Sequence, residues 1–341
     1  MKFGVALPTC TEGMLYPIPF AAPQDVVRVA VEAERLGYYA VMGNDHLTTQ
    51  AYVRKRWPNP PNFFEPLVTY AYCAPSTKTI RFMTGVIVLP MRHPVLLAKQ
   101  VATLDQFTGG RVILGVGVGA YREEYEATQP QLKHVPRSDL LEEGITSLRL
   151  LFDERRATYH GRHYRFEDVE MYPKPLQQPL PIFSAGNAEG SIRRAAEMCE
   201  GWLPAGMGPA RIRQGREKMR AYAESAGRDP SAVEIAPQLV VCVGRTAEDA
   251  ERDFKRSQVY EHLLSLQQST LKGFDIDSYV SMNLIGSVDQ VSELIEAYRE
   301  AGAGHLSGLL FVSNSVDDYI EQMQLFATTV MPQFKDKAPV A

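Results

Sequence analysis

Residues 79–119 read TIRFMTGVIVLPMRHPVLLAKQVATLDQFTGGRVILGVGVG. Residues 80–89 form a β-branched, apolar run, and residues 112–116 form a second one, so both are predicted to be buried strands. Between them, apolar residues recur every three or four positions, which predicts a helix that ends at Gly109-Gly110. Strand, helix and strand in this order are the unit from which parallel sheets are built.

The same alternation continues along the whole chain. About eight strand-like segments alternate with about eight helix-like ones, which predicts an α/β fold, a (β/α)8 TIM barrel, in one domain over residues 1–341. Three stretches look like insertions, at about 48–64, 157–179 and 258–284. We expect the first and third to lie over the carboxyl ends of the strands and 157–179 to form a hairpin-like excursion.

Composition limits the partners and the cellular setting. The chain has 341 residues, 45% of them apolar, and a net charge of −4, with no long basic run, so we expect neither nucleic acid nor a membrane as partner. Residues 1–8 are predicted to open a strand rather than a signal peptide. The four cysteines are scattered without a Cys-x-x-Cys pair, which favours a reduced, cytoplasmic setting.

Asp45-His46 directly follows the predicted second strand. A histidine at the carboxyl end of a barrel strand faces the mouth, where it can donate a proton or a hydrogen bond, so His46 is the candidate catalytic residue. The alternative is structural: Asp45 caps a turn and His46 packs against a neighbour.

Two glycine-containing segments also follow predicted strands. Residues 115–119, GVGVG, do not have the spacing of a dinucleotide fingerprint, and their missing side chains would let a flat ring lie close to the backbone. Residues 184–187, SAGN, open a helix whose free N–H groups suit a phosphate. A plain turn is the alternative for each segment.

Other chemistries lack their usual residues. We find no G-x-S-x-G elbow, no Walker loop and no H-E-x-x-H motif, which argues against hydrolysis and phosphoryl transfer. His160 and His163 have a spacing that suits a metal on a helix, but Gly161 and the flanking tyrosines favour a turn. No metal site is therefore expected.

Long segments of the chain resemble the bacterial luciferase-like superfamily, and most closely its branch that depends on the deazaflavin coenzyme F420. The resemblance covers nearly the whole chain. It is carried by KFGVALP, GYYAVMGNDHL, the block from FFEPLVTYAYC to GVGVGAYREEYEA, YPKPLQQPLPIFSAGN, GWLPAG and GSVDQVSELIEAYREAGAGHL.

The resemblance implies a barrel with insertions, usually dimeric, with a flavin or deazaflavin at the C-terminal mouth. It places His46 near the reactive ring, with Asp45 in contact with that ring, and implies a cis Gly85–Val86 peptide that backs it. The residues that it assigns to cofactor binding are Asp45, Thr84, Gly85, Val86, Gly117, Val118, Gly119, Tyr121, Ser184, Ala185, Gly186 and Asn187.

The chain departs from the sugar-phosphate dehydrogenases of this branch at two places. Ala120 stands where they carry an acidic residue after the G-x-G strand, and Thr48, Thr49 and Gln50 stand where they carry a tryptophan. Both departures put their proton transfer and their substrate in doubt here.

Three functions follow from the resemblance. The first is an oxidoreductase that moves a hydride between F420 and a small organic substrate. The second is a monooxygenase that uses reduced FMN supplied by a separate reductase, and the third is a flavin-binding protein without turnover.

Overall fold

The computed structural model describes residues 1–267, 276–335 and 337–339. Within them the strands are β1 Lys2–Ala6, β2 Ala40–Gly43, β3 Arg81–Thr84, β4 Ile87–Val88, β5 Val112–Gly117, β6 Ala157–His160, β7 Arg165–Val169, β8 Ile182–Ala185, β9 Gly201–Leu203, β10 Glu234–Ile235, β11 Gln238–Gly244, β12 Leu284–Ser287 and β13 His305–Phe311.

Helices separate most of these strands. They are α1 Pro23–Arg35, α2 Ala51–Arg56, α3 Pro66–Cys73, α4 Pro94–Thr108, α5 Arg122–Thr128, α6 Arg137–Asp153, α7 Glu189–Met198, α8 Pro209–Ser225, α9 Ala247–Lys255, α10 Gln258–Gln267, α11 Ile276–Met282, α12 Val288–Glu300 and α13 Val316–Thr329. Among the described helices, none is both long enough and apolar enough to cross a bilayer.

One large parallel sheet organises the molecule. Its strand order is β10-β9-β8-β5-β3-β2-β1-β13-β11-β12, and β4 pairs with β5 beside this path. Neighbours pair in parallel register, for example Gly4 with Ala40 in β1 and β2. Parallel pairing brings the carboxyl ends of all these strands to one edge of a curled sheet.

Apolar side chains cover both faces of the sheet. The outer face packs against the helices in a large core that includes Val41, Phe82 and Leu114. The inner face carries a second cluster, which includes Met42 and Phe183. Burial on both faces explains why the strands read as continuous apolar runs in the sequence.

Two apolar runs of the sequence are each divided in the structure. The predicted strand at 80–89 is divided at the Gly85–Val86 peptide, which is cis, as the resemblance implied. Residues 233–243 form β10 and β11, which are separated by Ala236 and Pro237, because proline has no N–H to give to the sheet.

The three insertion-like stretches adopt local structure of their own. Residues 157–179 contain the antiparallel pair β6 and β7, which confirms the predicted hairpin. Residues 48–64 contain α2. Residues 258–284 contain α10 and α11, and their part at 268–275 lies outside the described residues.

Gly115 provides a test of how tightly β5 packs against β3. A Cβ at this position would overlap the carbonyl oxygen of Thr84, whose backbone has no room to move aside. We predict that Gly115→Ala lowers the free energy of unfolding by about 3 kcal/mol, the upper range for overpacking. Urea denaturation measures the free energy of unfolding of the parent and the variant.

Gly190→Ala is the matched control for Gly115→Ala. A Cβ on Gly190 would find its nearest atom, Arg194 Nη1, 3.6 Å away. We expect this variant to be as stable as the parent or slightly more stable, since alanine is the better helix former. Equal losses in the two variants would contradict the account of β5 packing.

His305 at the start of β13 is fully buried, and neither ring nitrogen has a hydrogen-bond partner among the described residues. Burial, with a smaller effect from Lys2, lowers the pKa of His305 to about 3. An unfolded chain protonates histidine below about pH 6.5, so stability is lost as the pH falls from there toward 3.

We predict that His305→Leu flattens this pH dependence. Between pH 6.5 and 4.5 the parent should lose about 1.4 kcal/mol per pH unit more than the variant. Urea unfolding at several pH values measures the difference, with the half-exposed His160→Leu as control. Parallel pH profiles for the parent and His305→Leu would show that His305 is not buried in its neutral form.

Candidate active site

The predicted site residues lie at the carboxyl edge of four neighbouring strands, β2, β3, β5 and β8. Gly117 shows how close they are: a Cβ built on it would lie 2.8 Å from Val86 Cγ2 and 3.5 Å from Ala185 Cβ. Thr84 Oγ1 donates to the Gly115 carbonyl at 2.7 Å, which fixes the end of β3 against β5. The structure thus brings together the predicted site residues at 84–86, 117–119 and 184–187.

The cis Gly85–Val86 peptide rests on the methionine of the neighbouring strand. The Gly85 N–H donates to the Gly43 carbonyl at 2.8 Å. A Cβ on Gly85 would collide with the thioether of Met42, and so would one on Gly308. Met42 therefore fills the space under this peptide from the inside of the curled sheet, and a larger residue at position 85 would require Met42 to move.

The glycine run of β5 has a packing reason that the sequence did not show. A Cβ on Gly117 would press on Val86, and one on Gly119 would lie 2.7 Å from Val88. Gly119 also has a φ of +79°, which favours glycine. Arg137 donates to the Val118 and Gly119 carbonyls at 3.0 and 2.8 Å and holds this turn.

His46 and Glu124 form the central contact of the site. His46 Nδ1 lies 2.9 Å from Glu124 Oε2, and the carboxylate is nearly fully buried, with 3% of its side chain exposed. Glu124 Oε1 accepts from the backbone N–H groups of Leu47 and Thr48. A carboxylate can only accept hydrogen bonds, so Glu124 is the acceptor in each of these contacts.

This contact determines where the histidine carries its proton. Because Glu124 accepts, His46 Nδ1 carries the hydrogen and Nε2 is left as the basic nitrogen. Gln50 Nε2 lies 3.0 Å from the same Nδ1. Because the two ends of an amide are assigned rather than observed, a flipped Gln50 amide would put its oxygen there, as an N–H at Nδ1 requires. The pair can therefore take a proton at Nε2 and stabilise the resulting imidazolium.

Sequence reasoning missed Glu124. We considered position 120, where Ala120 stands, whereas the acid lies four residues further on, in the first turn of α5. The signal was the pair Glu123-Glu124 directly after the glycine run, with Glu123 accepting from the Ala51 N–H at 2.9 Å.

Asp45 is anchored between neighbouring strand ends. Its side chain is fully buried, with Oδ2 accepting from the Val88 N–H at 2.9 Å and Oδ1 from Arg92 Nη2 at 2.6 Å. Arg92 also reaches Glu65 at 3.0 Å. Both carboxylate oxygens thus hold the strand ends together, and contact of Asp45 with a cofactor ring stays a prediction.

The turn at 184–187 is partly committed to internal contacts. The Gly186 N–H donates to the Leu203 carbonyl, and the Asn187 amide exchanges two hydrogen bonds with the backbone of Ala205. Gly186 has a φ of +122°. Ser184 Oγ is buried without a partner among the described residues. Of the predicted phosphate cradle, this hydroxyl and the first-turn N–H groups of α7 remain for a ligand.

A buried cation lies beside this turn and was not foreseen. Arg194 on α7 donates to Ser191 Oγ at 3.3 Å and to Glu142 at 3.0 Å. A Cβ on Gly186 would lie 2.5 Å from that Ser191 hydroxyl. The start of α7 therefore combines the orphan N–H groups of residues 189 and 190 with a nearby guanidinium, which suits an anion.

The side chain of Tyr121 also lies next to His46. Their ring centroids are 5.7 Å apart, and the Tyr121 hydroxyl is 3.2 Å from that of Tyr52 in α2. Phe63 adds a third ring 5.6 Å from His46. The first insertion thus contributes aromatic side chains directly to the site.

Several polar atoms at the carboxyl edge of the sheet are buried without partners among the described residues. Thr11 follows β1, Asn44 follows β2, Ser184 lies in β8 and Ser313 follows β13. Leaving such a group unpaired costs about 1–3 kcal/mol, so each of them is a place where a polar ligand can bind.

Two other features of the molecule are separate from this site. A cavity of about 920 Å³ opens at the opposite edge of the sheet, beside the Lys2–Glu234 ion pair. His160 lies at the end of β6, and His163 follows in the turn to β7. In the described part of the chain, no three His, Cys, Asp or Glu side chains come together as metal ligands.

Comparison with known proteins identifies the family. The model of the luciferase-like monooxygenases matches residues 1–305, so the chain belongs to that family. Two relatives differ in the cofactor that their names give, and one solved structure shows the same fold.

The first relative is the FMNH(2)-dependent dimethylsulfone monooxygenase of Pseudomonas putida, 28% identical over 291 residues, 76% of each chain. The second is the F420-dependent hydroxymycolic acid dehydrogenase of Mycobacterium tuberculosis, 27% identical over 321 residues, 91% of this chain and 84% of that protein. Monooxygenase RslO1 of Streptomyces bottropensis has the same fold, with a TM-score of 0.80 and 22% identity. The match covers 98% of this chain and 100% of that one.

We predict that Glu124→Ala destabilises the protein and frees the His46 ring. Three hydrogen bonds lose their acceptor, so the free energy of unfolding should fall by about 1–3 kcal/mol. The ¹⁵N signals of His46, assigned by their loss in His46→Ala, should change from the Nδ1–H tautomer to a mixture.

Glu126→Ala is the control for this change, because Glu126 lies in the same helix and pairs with the exposed Arg122. It should leave both the stability and the tautomer as they are. If the His46 tautomer is unchanged in Glu124→Ala, the Glu124 contact does not orient the ring.

Proposed function

We propose that this protein is an oxidoreductase that moves a hydride between coenzyme F420 and a small organic substrate. The observation that carries the proposal is the His46–Glu124 pair at the carboxyl edge of the sheet, beside the cis Gly85–Val86 peptide. The relative named as an F420-dependent dehydrogenase, which spans 91% of this chain, supports the choice of cofactor.

The residues that would hold the cofactor fit a flat ring with a phosphate-bearing tail. The Gly85–Val86 peptide and Gly117–Gly119 would lie along the ring, and Ser184 with the start of α7 would take the phosphate. When bound, the deazaflavin supplies the hydride chemistry. Asp45 would support this surface indirectly, because its contacts with Arg92 and Val88 hold the ends of β2 and β4 together.

The protein's own part in the reaction is proton transfer and exclusion of water. His46 Nε2 would accept the hydroxyl proton of an alcohol substrate, or return it to a carbonyl oxygen in the reverse direction. Glu124 would stabilise the imidazolium in a buried setting, where the charge pair is strong. Phe63 and Tyr121 would shield the reacting atoms from water.

We also propose that the parallel sheet closes into an eight-stranded barrel. Gln238 donates to the Pro204 carbonyl at 2.9 Å, and Ser307 donates to the Pro237 carbonyl at 3.0 Å. Isolated bridges join Ala205 to Gln238 and Ile235 to Ala303. These contacts support a ring in which β10 and β11 act together as one strand between β9 and β13.

A second candidate is a monooxygenase that uses reduced FMN from a separate reductase. The Pseudomonas putida relative favours it, since its name gives that cofactor. A flavin-binding protein without turnover is the third, and its argument was the missing acid at position 120. Glu124 next to His46 weakens that argument.

We further propose that the protein is a cytoplasmic homodimer. Size-exclusion chromatography with light scattering tests the dimer.

Anaerobic titration distinguishes the cofactors. We predict that F420 binds in both redox states, and that reduced FMN binds at least tenfold more weakly. Equilibrium dialysis under argon measures both affinities. Tight binding of reduced FMN alone, with oxygen uptake coupled to substrate hydroxylation, would overturn the proposal in favour of the monooxygenase.

We predict that His46→Ala lowers turnover of the F420-loaded enzyme by about 10²–10⁴-fold, the usual contribution of a general acid or base. F420 affinity should change little, because the backbone carries most of the proposed ring contacts. The control is His160→Ala in the exposed hairpin. Undiminished turnover in His46→Ala would remove the histidine from the mechanism.

A further inference from the structure

We propose that the substrate is an uncharged alcohol or carbonyl compound with an aromatic or apolar body, bound against a wall of aromatic rings beside His46. The aromatic wall consists of Tyr52, Phe63, Tyr121 and His262. This inference rests on the proposed function, because it concerns the substrate of the same site.

Two insertions build the aromatic wall together. The Tyr52 ring of α2 lies 5.6 Å from the His262 ring of α10, and the Tyr52 hydroxyl is 3.2 Å from that of Tyr121. Arg56 at the end of α2 forms an ion pair with Glu261 of α10. The two helices are thus joined on the side of the site that the strands leave open.

The members of the aromatic wall are neutral at physiological pH. Burial raises the pKa of both Tyr52 and Tyr121, so their hydroxyls stay protonated. Burial, with a smaller effect from Arg56, lowers the pKa of His262 to about 4, so this ring is uncharged. The wall therefore offers ring faces and hydroxyl groups, but no full charge.

Three guanidinium groups near the wall are already engaged. Arg92 binds Asp45 and Glu65 behind the strand ends, and Arg137 donates to the carbonyls of residues 118 and 119. Arg56 is paired with Glu261. Each of these guanidinium groups would have to break an existing contact to meet an anionic substrate.

The charge that remains at His46 is negative. Glu124 is buried against the histidine, and Glu123 accepts from the Ala51 N–H next to Tyr52. A phosphate or carboxylate placed here would lose its hydration and face these two carboxylates. A flat neutral body loses little hydration and gains contact with the rings.

Binding measured without turnover tests the proposal. The probes are acetophenone, 4-acetylbenzoate and glucose 6-phosphate, titrated by calorimetry into the protein alone and into protein loaded with oxidised F420 or with FMN. Acetophenone and 4-acetylbenzoate differ only by one carboxylate. Tyr52→Ala removes a ring from the wall, Tyr52→Phe keeps the ring, and Tyr72→Ala changes an exposed tyrosine of α3 as the control.

We expect acetophenone to bind at least tenfold more tightly than either anion. Tyr52→Ala should weaken it about tenfold, while Tyr52→Phe and Tyr72→Ala leave it within about twofold. Circular dichroism confirms that each variant is folded. Anions that bind as well as acetophenone, or acetophenone binding that Tyr52→Ala leaves unchanged, would overturn the inference.

The experiment separates this inference from the proposed function. Acetophenone binding with the expected selectivity, in protein that binds FMN but not F420, would support the neutral substrate and overturn the F420 oxidoreductase. F420 binding in protein to which no neutral probe binds would overturn the neutral substrate alone.

Discussion

The Glu124 carboxylate is the contact on which the arrangement of the site depends. It accepts from His46 Nδ1 and from the N–H groups of Leu47 and Thr48, so one side chain joins the end of β2 to the helix after β5. Without it, the loop that leads into the first insertion would have three partly buried donors and no acceptor. Orientation of the histidine and anchoring of the insertion are therefore the same interaction.

A second constraint is steric and acts from the inside of the curled sheet. Met42 fills the inside of the curled sheet beneath Gly85 and Gly308, and Thr84 is fixed to Gly115. The surface that the strand ends present is consequently made of backbone and small residues. The polar groups that do face it unpaired, such as Ser184, lie where parallel strands gather their carboxyl ends.

What the sequence predicted correctly was local in the chain. Alternating apolar runs indicated the strands and helices, and the helix between residues 80–89 and 112–116 ends at Gly109 as predicted. Glu124 and His46 are 78 residues apart, so no periodicity or spacing could show their contact. The same holds for Asp45, whose carboxylate is engaged by Arg92, 47 residues later. The sequence located the glycines at the end of β5 correctly. In the structure Gly117 makes room for Val86, and Gly119 makes room for Val88 of β4.

The central claim is that the edge formed by β2, β3, β5 and β8 binds a redox cofactor next to His46. The most direct measurement is a crystal structure of the protein grown with oxidised F420. The account predicts the ring against the Gly85–Val86 peptide, with the His46–Glu124 contact intact and Nε2 facing the space above the ring. A ring bound in the cavity at the opposite edge of the sheet, or one separated from His46 by the first insertion, would contradict it.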